Sequence, residues 1–249
     1  MTEDPPVPAS TLVVMRPGSG PAPEILVVER AAAMAFAGGA IVFPGGRIDA
    51  ADRELANRVG RAGDAAKITA IRETIEESAV AVGLAGPIEP AIGPRLQAEL
   101  LAGTPFDQAL ANHSLSLDLD ALIPFARWMP AFKQPRRFDT LFFLAPTLPG
   151  DWQPLPQPGE CEAAEWATAA ALLERIAAGQ ASAIFPTKRN LERIALHAGI
   201  YEAIADARSH SLDTIVPWVE QRDGVPCVCI PEDRGYPVTC EPVTSALRA

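Results

Sequence analysis

The segment Arg72-Glu73-Thr74-Ile75-Glu76-Glu77 places three carboxylates within about one helical turn. Glu73, Glu76 and Glu77 follow the i, i+3, i+4 spacing that puts side chains on one face of a helix. Like charges at this spacing repel by roughly 0.2–0.5 kcal/mol per pair, so a sequence tolerates them most readily around a cation. Hard cations such as Mg²⁺ are held by carboxylates and share phosphate oxygens with a substrate. The segment therefore predicts a metal site for phosphate chemistry.

The helix that carries these acids is predicted from Asp64, as its N-cap, to about Val82. Ile68, Ile71 and Ile75 recur with Val82 at helical spacing and predict a buried stripe. The acids lie largely off this stripe, so we expect the helix to be anchored by its apolar side and to present its acids outward. A solvated acidic helix face is the alternative interpretation of the same pattern.

The elements around this helix are short and separated by turns. Phe43-Pro44-Gly45-Gly46 ends a short apolar strand at a predicted sharp turn, where glycine lets backbone approach a ligand closely. Strands at 11–15 and 24–28 predict a hairpin, and a short helix is predicted over 49–59. Downstream, strands are predicted at 125–129, 140–145 and 160–168, and helices at 169–178 and 187–208, the last capped by Thr187.

The chain of 249 residues, 48% of them hydrophobic, is long enough to bury one sizeable core. We expect a single domain over residues 1–249, because no linker is long enough to divide it. Within it we expect a loose leader at 1–10, an inserted helical segment at 87–122, and an irregular, proline-punctuated tail at 209–249.

A formal net charge of −10 argues against a nucleic acid polymer as partner, because duplex-binding proteins usually carry a basic face. It also disfavours binding to anionic membranes, and no apolar stretch is long enough for a membrane span. Residues 1–5 are acidic and proline-rich, unlike the start of a secretory signal, so we expect a cytoplasmic protein.

The four cysteines are too few for a dense disulfide framework. Cys227, Cys229 and Cys240 raise the question of a zinc site, but the C-x-C spacing is atypical and the chain has only three histidines. We therefore expect ordinary reduced thiols.

Gly45-Gly46, followed by Arg72-Glu73-x-Ile75-Glu76-Glu77-x-Ala79-Val80, resembles the Nudix box. In that pattern a glycine and a glutamate precede Arg-Glu, a bulky apolar residue, two glutamates and a final glycine. Here Thr74 stands at the first apolar position and Ala79 at the final glycine.

The box is also enlarged, since Gly46 lies 26 positions before Arg72, 12 more than in the pattern. Asp52 has the offset from Gly46 that the first glutamate of the pattern has, and Glu54 is close to it. Which of the two takes that place stays open at the level of sequence.

An enlarged box of this kind resembles the Nudix branch that includes the peroxisomal coenzyme A diphosphatases. Further features that resemble this branch span most of residues 10–205: Glu29-Arg30 before Gly38-Gly39, Arg137-Phe138-Asp139-Thr140 before Phe142-Phe143, Glu160 to Trp166, and Phe185-Pro186-Thr187.

The resemblance implies an α/β fold, namely a Nudix-type α/β/α sandwich with a mixed sheet, plus inserted and C-terminal helices. It implies that Glu73, Glu76 and Glu77 bind Mg²⁺ or Mn²⁺, and that the carbonyl of Gly45 or Gly46 completes the inner shell. Glu73 would bind metal or help to deprotonate the attacking water, and Arg72 would hold Glu73 in place.

Two further groups of candidates come from outside the box. The family often takes another acid from elsewhere, and of Glu160, Glu162 and Glu165 we favour Glu160, because it lies six residues before Trp166. Three cations cluster in a chain short of positive charge and are candidates for substrate phosphate, with a solvated loop or a structural salt bridge as the alternative: Lys133, Arg136 and Arg137.

The function implied is a metal-dependent hydrolase that cleaves the diphosphate bond of a nucleoside diphosphate linked to another moiety. Coenzyme A or an acyl derivative is the first substrate to test. The alternatives are ADP-ribose, a dinucleotide or a nucleotide sugar, or a catalytically inactive module that binds a nucleotide or a protein. Members of the family are often dimers, so a homodimer is compatible with the resemblance, although nothing in the sequence shows an interface.

Overall fold

The structure is a computed structural model that describes residues 5–34, 37–129 and 137–246. Its strands are β1 (Val7–Arg16), β2 (Glu24–Arg30), β3 (Ile41–Val42), β4 (Gly45–Arg47), β5 (Leu84–Ala85), β6 (Ser116–Leu117), β7 (Ile123–Trp128), β8 (Phe138–Pro146), β9 (Cys161–Thr168), β10 (Trp218–Arg222), β11 (Val225–Cys229) and β12 (Cys240–Pro242). Its α-helices are α1 (Ala50–Arg58), α2 (Ala65–Ser78), α3 (Ile92–Leu101), α4 (Phe106–Asn112), α5 (Ala169–Ala177), α6 (Phe185–Ile194), α7 (Ile200–Ser209) and α8 (Val243–Ala246).

The central sheet is mixed. Its main path runs β3-β2-β1-β8-β7, with β4 added to β1 and β9 added to β2. β1 and β8 are parallel, whereas β1 pairs with β2 in the predicted antiparallel hairpin, with Met15 opposite Ile25. The other ladders of this sheet are antiparallel as well.

Both faces of this sheet are covered, which explains the unbroken apolar run at 12–15 in β1. Leu12 and Val14 point to one side, where they join a core that includes Ile71 of α2. Val13 and Met15 point to the other side, into a core shared with α5, α6 and α7. The predicted α/β class and α/β/α sandwich are therefore confirmed.

The expected loose leader at 1–10 is wrong from Val7 onward, because β1 begins there. The Val7 amide donates to the Arg137 carbonyl at 2.8 Å, and the parallel register with β8 begins at Val7 opposite Phe138. A pairing with a strand 131 residues away could not be read from local composition. Residues 1–4 lie outside the described part of the chain.

The expected irregular tail at 209–249 is also wrong, since β10, β11 and β12 form an antiparallel sheet within it. Val228 of β11 and Ile230, which follows that strand, are buried in the core that the central sheet shares with α6 and α7. The edge-to-face contact of Tyr236 with Trp128, at 5.4 Å between ring centroids, adds to this packing.

The predicted helix at 187–208 is two helices, because α6 ends at Ile194 and α7 begins only at Ile200. Gly199, with an extended backbone (φ −155°, ψ 167°), is the N-cap of α7. The predicted cap at Thr187 is wrong too, because α6 begins at Phe185, with Pro186 in its first turn. The predicted segment at 87–122 holds α3 and α4. In the described part of the chain, no helix is both long and apolar enough to cross a membrane.

The acid-bearing helix α2 begins after Asp64 as predicted but ends at Ser78 rather than near Val82. It stops because Ala79 adopts the left-handed conformation (φ 56°, ψ 15°) that usually favours glycine at this position. Ala79 therefore occupies the glycine position of the box with glycine's conformation, and the main chain leaves the helix as a glycine would allow.

Replacing Ala79 by Gly is expected to leave the free energy of unfolding nearly unchanged. Relief of the left-handed conformation, about 1 kcal/mol, offsets the loss of a buried methyl group, about 0.8 kcal/mol. The matched Ala70→Gly, in the buried interior of α2, lacks this relief and should lower stability by about 2 kcal/mol. Urea unfolding of both variants checks this, and equal losses would contradict it.

Candidate metal and phosphate site

The glycine stretch and the acidic helix meet at one place. Gly45 and Gly46 lie in β4, which pairs with β1, so the expected sharp turn is an extended strand instead. The Gly45 amide donates to Glu77 Oε2 at 3.0 Å. A Cβ on Gly46 would stand 2.4 Å from Glu73 Oε1, so the absence of a side chain there is what admits the Glu73 carboxylate. The missing side chain at Gly46 thus leaves room for this carboxylate next to the strand.

Arg72 lies at the centre of the carboxylates rather than beside one of them. Its Nη2 lies 2.9 Å from Glu73 Oε1, which agrees with the expectation that Arg72 holds Glu73. Its Nη1 donates to Glu76 Oε2 at 2.8 Å, a contact that the sequence did not suggest. Burial would lower the pKa of Arg72, but its hydrogen bonds to Asp52 and the charges of the glutamates raise it overall. The guanidinium is therefore fixed as a cation.

Asp52 completes this arrangement. It is only 2% exposed and accepts from Arg72 Nε and Nη2, both at 3.0 Å. Thr69 Oγ1 also donates to it at 2.8 Å, and the Asp49 amide donates at 3.3 Å. Glu54 is exposed, so of the two candidate acids it is Asp52 that contacts Arg72.

Replacing Asp52 by Ala is expected to lower the free energy of unfolding by about 2 kcal/mol, because a buried guanidinium loses a two-pronged partner. This loss is smaller than the loss expected for a buried charge without any partner, because Arg72 keeps its contacts with Glu73 and Glu76. Asp107→Ala is the matched control, because Asp107 pairs with Arg58 at the surface and should matter by less than about 1 kcal/mol. Urea unfolding at pH 7 distinguishes the two, and a loss at Asp52 no larger than at Asp107 would contradict the prediction.

The carboxylates are held in an environment that disfavours their charge. Burial raises the pKa of Glu77 to about 8, and the charge of Glu73 adds to the increase. Burial likewise raises the pKa of Glu73 to about 7, although Arg72 opposes the shift. The pKa of Glu76 is also raised, chiefly by burial. Two adjacent carboxyl groups that hold protons near neutral pH are a place where a cation would replace those protons.

The donor set fits a hard divalent cation, because it consists of carboxylate oxygens. Within the described residues, however, no group of three or more His, Cys, Asp or Glu side chains stands arranged for a metal ion. Arg72 instead contacts an oxygen of Glu73 and one of Glu76. Glu73 and Glu77 are already next to the glycines, whereas Glu76 would join them only by giving up its contact with Arg72.

The C-terminal end of α2 is fixed by residues that the sequence did not single out. Gln97 of α3 is buried, and its Nε2 donates to the carbonyls of Glu76 and Leu155 at 2.9 and 2.8 Å. The amide of Leu155 donates to Ser78 O, and that of Gln157 donates to Glu77 O. The segment before β9 is thereby tied to the end of the helix, which brings Glu160 toward the acids.

Of the three candidates for a further acid, Glu160 is the one near the cluster. It is exposed, and its charge contributes to the raised pKa of both Glu76 and Glu77. Glu162 instead accepts from the Ala32 amide, and Glu165 pairs with Arg175 at 2.6 Å.

Of the three predicted phosphate-binding cations, the structure describes only Arg137. Lys133 and Arg136 lie outside the described residues, and Arg137 precedes β8 with its carbonyl bonded to Val7.

A cation without a predicted role, Arg30 of β2, lies 3.7 Å from Glu77 Oε1 with its side chain 16% exposed. Its buried Nε lacks a hydrogen-bond partner within the described chain. In the sequence, Arg30 is marked only by its place in Glu29-Arg30, a feature that resembles the coenzyme A diphosphatase branch.

The chain is similar to several solved structures. A crystal structure of a Nudix hydrolase from Alicyclobacillus acidocaldarius is 30% identical with a TM-score of 0.70, over 85% of this chain and 99% of that one. The Nudix domain of Shewanella oneidensis NrtR, solved with ADP-ribose, is 13% identical over 69% of this chain and 79% of that one, with a TM-score of 0.41. A C. elegans Ap4A hydrolase is 15% identical over 68% and 84%, with a TM-score of 0.38.

The last two similarities are too low to carry an argument, whereas the first spans nearly the whole of its relative. No protein-family model matches the sequence, and no curated protein does.

Proposed function

The chain belongs to the Nudix hydrolase family of pyrophosphohydrolases, and we propose that it cleaves the diphosphate bond of a nucleoside diphosphate linked to another moiety, with Mg²⁺ or Mn²⁺ as cofactor. The observation that carries this proposal is the meeting of the Glu73 and Glu77 carboxylates with Gly45 and Gly46. In the proposal, Glu73, Glu76 and Glu77 and the carbonyl of Gly45 or Gly46 hold the cation.

A bound divalent cation supplies a lowered pKa for the attacking water and a counter-charge for the departing phosphate. The protein supplies position. Arg72 fixes Glu73 at 2.9 Å, so that Glu73 can ligate the cation or accept the proton of the water. Glu160, at the exposed rim of the cluster, is the further acid available to the same site. In the proposal, Glu160 adds negative charge beside the carboxylates that hold the cation.

Coenzyme A or an acyl-coenzyme A is the proposed substrate, and 3′,5′-ADP and a phosphopantetheine are the products. Support comes from the enlarged box and from the sequence features shared with the coenzyme A diphosphatase branch. Arg137, with Lys133 and Arg136, is proposed to contact substrate phosphates. Arg30 is a further candidate, because it is a cation beside Glu77 with an unpaired donor.

A panel of substrates tests the proposal. Purified protein with Mg²⁺ or Mn²⁺ is incubated with coenzyme A, acetyl-coenzyme A, ADP-ribose, a diadenosine polyphosphate and a nucleotide sugar, and products are separated by chromatography. Release of 3′,5′-ADP at the highest kcat/KM from a coenzyme A compound is the expected result. Preferential AMP release from ADP-ribose or a dinucleotide would contradict coenzyme A as the substrate. It would still support hydrolysis of a diphosphate bond as the activity.

A catalytically inactive binding module is the rival from another class. It predicts no product from any compound with either metal. The intact contacts of Arg72 with Asp52, Glu73 and Glu76 argue against it, because a decayed site has no reason to keep this network.

A further inference from the structure

Three of the four cysteines lie together in the C-terminal sheet, far along the chain from the acidic cluster. Cys227 and Cys229 belong to β11 and, being two residues apart, point to the same face of that strand. Cys240 opens β12 and is directly opposite Cys229 in the antiparallel register. The proposed hydrolase chemistry uses none of them.

The register makes Cys229 and Cys240 a pair suited to a covalent bond. The Ile230 amide donates to the Thr239 carbonyl at 2.9 Å, so the residues at 230 and 239 form a hydrogen-bonded pair. Hydrogen-bonded and non-hydrogen-bonded pairs alternate along an antiparallel ladder. The next pair, Cys229 with Cys240, is therefore a non-hydrogen-bonded one. Cα atoms in such pairs are about 4.5 Å apart, within the range that disulfides span.

The side chains agree with the backbone. The Sγ atoms of Cys229 and Cys240 lie 2.6 Å apart, so no backbone movement is needed to bring them into contact. Cys227 is diagonal to Cys240, and diagonal neighbours in antiparallel sheets are about 7–8 Å apart at Cα. Cys227 is therefore the poorer partner, although it shares the face.

We propose that Cys229 and Cys240 form a reversible disulfide through exchange with a low-molecular-weight disulfide. Cys240 is half-buried and Cys229 is buried, so Cys240 is the thiol that meets the oxidant first. Its thiolate displaces one sulfur of the small disulfide and releases one small thiol. Cys229 then gives up its proton and displaces the second small thiol from Cys240. Two protein thiols and one small disulfide thus become one protein disulfide and two small thiols.

The second step depends on the sheet holding Cys229 in place. Burial raises the pKa of Cys229 to about 12, so its thiolate is scarce and the step relies on proximity rather than on acidity. The product bond would join the two strands beside Glu241, which already binds Lys188 and Arg189 of α6 at 2.6 and 2.9 Å. Oxidation would therefore lock the strand that ties the C-terminal sheet to the body of the protein.

The test is exposure of the folded full-length protein to oxidised glutathione, followed by acid quench, denaturation and alkylation of the remaining thiols. Two of the four thiols should be lost, the intact mass should fall by two hydrogens, and dithiothreitol should restore both. The oxidised protein should also melt about 5 °C higher than the reduced one. Four remaining thiols, or a glutathione adduct that never resolves, would overturn the proposal.

Variants identify the partners. Trypsin cleaves after Arg222 and Arg234, so Cys227 and Cys229 leave in one peptide and Cys240 in the next. Cys227→Ser should keep the cross-linked peptide pair, and Cys229→Ser should abolish it. A cross-link that is lost in Cys227→Ser overturns the assignment even if Cys229→Ser fails to fold. Cys161→Ser is the matched control, since Cys161 lies in β9 and should change nothing in the cross-link.

Discussion

Glu77→Gln is expected to lower kcat on the order of a hundredfold or more while leaving the protein folded. Glu77 is 2% exposed, and its Oε2 accepts from the Gly45 amide, a bond that a glutamine oxygen can keep. The substitution removes a negative charge without changing the size of the side chain. Stabilisation of transition-state charge by a divalent cation contributes several kcal/mol, and each 1.36 kcal/mol is tenfold in rate, so the loss of one ligand charge has a large effect.

The measurement is steady-state kinetics at saturating Mg²⁺ on whichever compound of the panel is turned over, beside circular dichroism and thermal unfolding. Glu174→Gln is the matched control, because Glu174 is exposed on α5, a helix on the other side of the sheet. It should retain full kcat. A folded Glu77→Gln protein with near-normal kcat would remove Glu77 from the proposed cation site and, with it, the main support for that site.

The acidic helix was predictable because its information is local. The spacing of Ile68, Ile71 and Ile75 gave the buried stripe of α2. The expectation that the helix presents its acids outward is wrong for Glu77, which is only 2% exposed. The early end of the helix was not predictable, because Ala79 adopts a left-handed conformation that its residue type disfavours. The apolar residues that follow it, including Val82, are buried but not helical.

The centre of the site was harder to predict, since it depends on distant residues. The sequence placed Arg72 beside Glu73, whereas the structure gives it Asp52 and Glu76 as further partners. Nor does composition reveal why Gly46 is glycine. It lies in an extended strand, and the reason for its missing side chain is the Glu73 carboxylate 27 residues later. Such requirements appear only when two elements are brought together.

The C-terminal sheet was missed for a different reason. Prolines at 217, 226, 231 and 237 predict turns, and its strands are at most five residues long. The sheet is stabilised by contacts with the body of the protein, such as the Trp128 indole N–H donating to Tyr236 Oη at 3.1 Å. Long-range packing of this kind overrides the local preference for irregular structure.

The metal-free protein is expected to lose stability as the pH rises from about 5 to 8, and a divalent cation should restore it. The pKa of Glu73 is about 7 and that of Glu77 about 8 in the folded state, against 4.5 as the ordinary value. Over this range the folded state binds more protons than the unfolded state, so the stability is fully present below about pH 4.5 and is lost as the pH passes the folded pKa values. Because part of the Glu77 shift comes from the charge of Glu73, the two effects do not add in full.

We therefore expect a loss on the order of 5 kcal/mol, measured by urea unfolding at several pH values with a chelator present. Millimolar Mg²⁺ should remove most of this loss at pH 8, because the cation replaces the protons that the carboxyl groups would otherwise hold. Glu77→Gln should flatten the chelated profile, since the group with the higher pKa no longer titrates, and should gain less from Mg²⁺. If the profiles with chelator and with Mg²⁺ coincide, or if stability rises toward pH 8 in the chelator, then Glu73 and Glu77 do not share a cation site, whatever the outcome of the kinetic experiment.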